Sequence, residues 1–215
     1  MSSHGKFITL EGPEGCGKST HAKALVERMT SEGYPTVFAR DPGDTRVGEA
    51  IRCLLIHDAE NEPICPETEL FLFLASRAQL VKRVVLPALE KGMNVVCDRF
   101  ADSTTAYQGY GRGCDLNTVL MMNHFAVQGQ MPDITILLDI DVNLGFQRLQ
   151  HRNAKNKSQK DRIEREALAF HEQVRVGYLE LAKRWPERIR CINASGEIPE
   201  VDDKIWRIVH RVIKN

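Results

Sequence analysis

The chain has 215 residues, 42% of them hydrophobic and 27% charged, enough for one α/β domain with a full core and an ordinary soluble composition. Lys plus Arg and Asp plus Glu both number 29, so no global bias draws it to nucleic acid or to acidic membranes. No apolar run approaches membrane-spanning length, and the N-terminus, Met1-Ser2-Ser3-His4-Gly5-Lys6, carries no apolar signal region.

In chain order, Phe7-Ile8-Thr9-Leu10 reads as a buried strand. The stretch Gly12-Pro13-Glu14-Gly15-Cys16-Gly17-Lys18-Ser19 fits G-x-x-x-x-G-K-[ST], and Thr20 continues it. Ala22, Leu25, Val26 and Met29 then recur at helical spacing up to Gly33, a good residue to follow a helix. Strand, loop and helix are the context of a phosphate-binding loop. Its glycines let backbone N–H groups close around an anion at the positive end of the helix. Lys18 can reach the β- and γ-phosphates, and the Ser19 hydroxyl can ligate Mg²⁺. The chain is therefore expected to bind a nucleoside triphosphate.

Thr36-Val37-Phe38-Ala39 reads as a second strand, with the polar turn Arg40 to Thr45 after it. Val47, Ala50, Ile51, Leu54 and Leu55 fit a short helix, and Asn61 to Pro66 a loop. A long helical pattern runs from Leu70 to Val85, and Pro87 is expected to kink or end it. Asn94-Val95-Val96-Cys97 reads as a third strand, followed by the dense polar run Asp98 to Gln108. Gly109, Gly111 and Gly113 bracket Arg112 in what reads as a mobile loop. A helix is expected from Leu116 to Val127, a strand from Ile134 to Asp139, and a helix through Leu149 capped by Asp141. Between Arg148 and Arg165 lie seven Lys/Arg and two carboxylates, Asp161 and Glu164. A helix from about Asp161 to Arg184, a short strand Arg190-Cys191-Ile192, and a last helix opened by Pro199 complete the chain.

Alternating strands and helices predict an α/β fold: a parallel five-stranded sheet with helices on both faces, one P-loop kinase domain over residues 1–215. Such sheets bind ligands outside the carboxyl ends of their strands. A GTPase would carry Asn-Lys-x-Asp; Asn156-Lys157-Ser158-Gln159 lacks the final Asp and follows no strand. The basic run at 148–165 suits a kinase lid, because phosphoryl transfer needs positive charge on the moving phosphate. The six cysteines, at 16, 53, 65, 97, 114 and 191, include no C-x-x-C pair; reduced thiols and the cytoplasm are expected.

With these motifs in order, the chain resembles the bacterial thymidylate kinases over nearly its whole length. The matching stretches are Leu10 to Thr20, Arg40-Asp41-Pro42-Gly43, Phe73-Leu74-Ala75-Ser76-Arg77, Asp98-Arg99-Phe100, Ser103 to Gly113, and Asp161-Arg162-Ile163-Glu164. The resemblance implies ATP and dTMP as substrates, Mg²⁺, and a homodimer paired through helices, for which the apolar helix at Leu70 to Val85 could serve. By resemblance, Arg40 and Arg99 hold the acceptor phosphate, with Arg52 assisting. Phe73 stacks on thymine, Arg77 hydrogen-bonds the base, Thr104 lies beside its edge, and Ser103 and Gln108 also bind the substrate. Tyr107 crowds the 2′ position, and Glu14 accepts from the 3′-hydroxyl. Asp98 positions Mg²⁺ or its waters, or orients Arg99. Some family members carry a basic residue after the acidic one in the phosphate loop; this chain has Gly15. The catalytic charge is therefore expected from Lys18 and Arg99 with Arg152 and Arg162 of the lid. Asp41 and Asp44 replace residues that are commonly Glu and Gly in the family. The alternatives are a deoxynucleoside kinase with Asp41 as base, and a non-enzymatic nucleotide-binding regulator.

Overall fold

A computed structural model describes residues 4–56, 62–156 and 161–214. Five strands, β1 (Phe7–Glu11), β2 (Thr36–Arg40), β3 (Asn94–Asp98), β4 (Ile134–Asp139) and β5 (Ile189–Asn193), pair in parallel in the order β2-β3-β1-β4-β5. Residues alternate between two buried faces, as a sheet covered on both sides requires. Ile8, Leu10, Val96, Ile136 and Leu138 pack against α1 (Lys18–Ser31) and, near the chain's end, α9 (Ile198–Ile213). Phe7, Val95 and Cys97 face the opposite way, against Leu80, Val85 and Leu89. The register sets Arg40 and Leu10 on either side of Asp98, so the carboxyl ends of three neighbouring strands converge.

Four expectations about the connections change. The helix that Pro87 is expected to kink or end does not end there: α3 (Pro66–Leu80) passes through a π-helical turn, Val81–Val85, into α4 (Leu86–Glu90). Leu86 N–H bonds the carbonyl of Val81, five residues back, and this wider turn places Pro87 in a first helical turn, where its missing N–H costs little. The glycine loop after β3 is helical too, with α5 (Ala101–Thr104) running into a π-helical stretch, Thr105–Gly111. The stretch packs closely: a Cβ on its Gly111 would lie 2.7 Å from Phe170 Cε2, and its Tyr110 would lie 2.8 Å from a Cβ on Gly177, far along the chain.

The helix read as 161–184 begins only at Leu168, as α8 (Leu168–Arg184), which follows α6 (Leu116–Val127) and α7 (Val142–Asn156). Residues 161–167 form turns because the Asp161 carboxylate accepts from Glu164 N–H at 2.8 Å, a local bond that competes with helix. The first half of the basic run is α7 itself, capped by Asp141 as expected, through Asn143 and Leu144 N–H. The loop residue Asn61 and the lid residues Lys157 and Lys160 lie outside the described residues.

Candidate active site

The stretch Gly12 to Thr20 runs from the end of β1 into the first turn of α1, and α2 spans Arg46–Ile56. Gly15 and Gly17 take φ of 74° and 91°, left-handed values open to glycine at no steric cost. Gly15 also touches α7: a Cβ there would lie 2.1 Å from the Gly145 carbonyl oxygen. Lys18 folds back, donating to the Gly12 carbonyl at 3.0 Å, the Pro13 carbonyl at 2.8 Å and Cys16 Sγ at 3.4 Å. Cys16 is a free, buried thiol, and its burial raises its pKa. The Ser19 hydroxyl donates to the Asp98 carboxylate at the end of β3.

Arg99 follows with φ of 68°, a rare value for a non-glycine residue that turns its side chain back over the loop. It pairs with Glu14, lies over the Tyr107 ring at 5.0 Å, and approaches Ser103 Oγ at 3.3 Å. Glu14 also accepts from Tyr107 OH at 2.8 Å. Burial opposes ionisation of Glu14, but Arg99 and Lys18 outweigh it and bring the pKa to about 2. Arg40 reaches Glu49 at 2.7 Å while its Nε is buried without a hydrogen-bond partner. Burial first, then the charges of Arg40 and Arg99, lower the pKa of Arg52. Three guanidiniums thus crowd one wall.

That wall belongs to a cavity of about 720 Å³. It is lined by Lys18, Ser19 and Asp98 at the loop, by Arg40, Arg52 and Arg99, and by Phe73, Arg77, Ser103, Thr104, Tyr107 and Gln108. Phe73 is half-buried at this surface rather than core. Arg77 is buried and bonded to Asp41 at 2.6 Å, Asn123 at 2.7 Å and the Phe100 carbonyl at 3.1 Å. Thr104 Oγ1 and Asp41 Oδ1 are buried without hydrogen-bond partners. Asp44, at φ 53°, holds the left-handed turn that glycine would otherwise take, a conformation Asp tolerates better than most residues.

Arg152 also lines the cavity, held by Glu164 at 2.6 Å. Arg162 does not. Its guanidinium donates to the Leu55 carbonyl at 3.0 Å and to the Glu69 carboxylate, outside the lining. Its place toward one end of the basic run gave no hint of that anchoring.

Sequence reading missed several lining or supporting residues. His21 lies under the loop and bonds Asp202 of α9 at 2.7 Å. Arg148 fastens the turn after β5 through the Ala194 and Ser195 carbonyls, at 2.8 and 3.0 Å, and Glu197 and Ile198 line the cavity there. Glu11, at the end of β1, accepts from Phe100 N–H at 2.7 Å, Ser103 N–H at 3.2 Å, Ser103 Oγ at 2.6 Å and Tyr178 OH at 3.0 Å. It satisfies the start of α5 from another strand, and only its neighbourhood to the loop motif hinted at this.

Burial, and then the Asp102 carboxylate, raise the Glu11 pKa from 4.5 to about 7. A raised pKa means the fold favours the protonated form. Its contribution to stability is therefore full below about pH 4.5 and lost as the pH climbs through about 7. Across that window the unfolding free energy of the wild type is expected to fall relative to that of Glu11→Gln. Equilibrium denaturation at both ends of the window measures this, and parallel pH profiles for the two proteins would refute it.

A family model described as thymidylate kinase matches residues 10–205. A thymidylate kinase of Desulfosudis oleivorans is 48% identical over 208 residues, which cover 96% of this chain and 97% of that protein. One from Caldanaerobacter subterraneus subsp. tengcongensis is 45% identical over 210 residues, 98% of this chain and 97% of its own length. The crystal structure of thymidylate kinase from Ehrlichia chaffeensis superposes with a TM-score of 0.76 at 29% identity, covering 95% of this chain and 98% of that one.

Proposed function

We propose how the cavity works from one premise: the chain belongs to the thymidylate kinase family, and its reaction is transfer of the γ-phosphoryl group of ATP to dTMP. The observation that carries the residue assignments is the crowding of Arg40, Arg52 and Arg99 beside Lys18 in one cavity. The acceptor is a phosphate monoester, mostly dianionic at pH 7, so it is already a nucleophile. The protein has to hold two anions close together, and it needs no general base. Asp41, which could serve a nucleoside kinase as its base, has one carboxylate oxygen bonded to Arg77 at 2.6 Å.

In this reading Arg99 and Arg40, assisted by Arg52, hold the acceptor phosphate, and the unpartnered Arg40 Nε is a donor kept for it. Phe73 stacks on the thymine. Arg77, Ser103, Thr104 and Gln108 frame its edge, with the Thr104 hydroxyl free to bond it. Tyr107 fills the space beside the sugar's 2′ carbon, and Glu14 takes the 3′-hydroxyl. Gly12 to Thr20 cradle the ATP phosphates, and Lys18 leaves the loop carbonyls for them. Ser19 and Asp98 suit Mg²⁺, because they offer hard oxygens already bonded to each other on the cavity wall. That ion takes few protein ligands beside phosphates and water, in keeping with the lack, among the described residues, of any larger ligand cluster. When bound, it supplies charge neutralisation on the transferring phosphate.

The test is an acceptor panel with ATP and Mg²⁺. Turnover is expected with dTMP, clearly above dCMP, dGMP and thymidine; thymidine outrunning dTMP would sink the assignment. Arg152 supplies lid charge, and Arg152→Ala is expected to lower kcat roughly 10²-fold with little change in the dTMP KM. Steady-state kinetics giving wild-type kcat would remove it from the transition state.

The protein is further read as a cytoplasmic homodimer and a single kinase domain, with the basic stretch at 148–165 as its lid. Reduced thiols fit that compartment, and all six cysteines are free. The helix expected in sequence to pair turns Leu70, Leu74, Leu80 and Val85 into its own chain, so its contribution to a second copy would come from Phe71. Phe125, Met121 and Phe71, exposed by 86%, 67% and 56% on the adjacent helices α6 and α3, supply an apolar face for a second copy. Phe125→Glu is expected to yield monomers by sedimentation, and an unchanged dimer would place the interface elsewhere.

A further inference from the structure

We propose that Glu69 is a positioning residue that ties the acceptor wall to the turns at 161–167, and through them to Arg152. The proposal rests on reading the cavity as the dTMP and ATP site. Glu69 is 1% exposed in the first turn of α3, one helical turn before Phe73. One carboxylate oxygen accepts from Gln108 Nε2 at 2.7 Å and Arg112 Nε at 3.1 Å. The other accepts from Arg112 Nη2 at 3.1 Å and from Arg162 Nη2. Three side chains on two other segments therefore meet on one buried acid.

Each arm lies at or beside the cavity. Gln108 lines it directly. Arg162 stands between the lining residues Asp161 and Ile163, and its backbone N–H and Nε bond the carbonyls of Ile56 and Leu55, two more lining residues, at 3.1 and 3.0 Å. Two residues on, Glu164 holds Arg152 at 2.6 Å. Arg112 closes the ring by reaching Glu166 at 2.7 Å, so two carboxylates face two guanidiniums. Burial opposes ionisation of Glu69, but its Arg112 and Gln108 donors prevail and lower its pKa. A buried ion network of this kind is weak evidence for stability, since well-packed apolar residues often serve that end as well. Its distinctive property is connection: a base seated against Phe73 and Gln108 bears on the same acid that fixes 161–167.

The experiment is hydrogen exchange on the full-length protein with dTMP alone, without ATP. In the wild type, dTMP is expected to slow exchange of the amides at 161–167 by about tenfold. Glu69→Gln is expected to abolish that response while still binding dTMP, and to lose kcat more than dTMP KM. Arg162→Met cuts one arm, leaves Gln108 and Arg112 on the acid, and should do the same if Glu69→Gln fails to fold. A variant that binds dTMP yet keeps the full response at 161–167 overturns the proposal, as does a wild type that binds dTMP without any response there. Failure of the wild type to phosphorylate dTMP would instead overturn the reading of the cavity.

Discussion

Lys18→Ala is expected to lower kcat by roughly 10³-fold or more at saturating ATP and dTMP, the scale of losing a charge that meets the transferred phosphate. The KM for dTMP should change little, since the lysine is assigned to the donor. The fold is expected to survive because Lys18 bonds only its own loop, at the Gly12 and Pro13 carbonyls and Cys16 Sγ, although each hydrogen bond to a charged group is worth about 1.5–3 kcal/mol. Steady-state kinetics with circular dichroism separates loss of chemistry from loss of fold. Near-normal turnover in a folded variant would mean the phosphate charge is met elsewhere.

Arg99→Ala is expected to reduce kcat/KM for dTMP by on the order of 10³ to 10⁴. Two effects combine. The acceptor phosphate loses its central partner, and Glu14 loses the cation that, with Lys18, holds its pKa at about 2 despite burial. The mutant cavity then presents an uncompensated carboxylate to an incoming dianion. The second effect can be isolated. Arg99→Ala combined with Glu14→Gln should recover part of the loss, so the two changes should not add. A double mutant as poor as the product of the singles would show that Glu14 exerts no repulsion.

The phosphate loop, the five strands and the arginine-bearing turns were legible because their signals are local. Gly12 to Ser19 between a strand and a helix carries its meaning within a few residues. Glu69 carried none and Glu11 only its place beside the loop, since each owes its role to partners far along the chain: Tyr178 for Glu11, Arg112 and Arg162 for Glu69. Arg162 was misjudged for the same reason; its charge was visible in sequence, but the acid that holds it was not. Gly109 and Gly111 were read as mobile because glycine usually loosens a chain, whereas Leu116 and Phe170 occupy the space their side chains would fill. Residues 161–167 looked helical by composition and were diverted by the single Asp161 turn.

The contact between Gly15 and Gly145 bears on how such loops can evolve. A side chain at 15 would run into the Gly145 carbonyl, and a side chain at 145 would run into the carbonyl of Glu14 at 2.3 Å. The two positions therefore constrain each other: neither accepts a larger residue while the helix stays where it is. A lineage acquiring an arginine in the loop must first move the opening of α7 outward, a neutral-looking change far along the chain that makes the later one permissible. In this protein the glycine pair keeps position 15 without a side chain and leaves Lys18 as the one cation between Gly12 and Thr20.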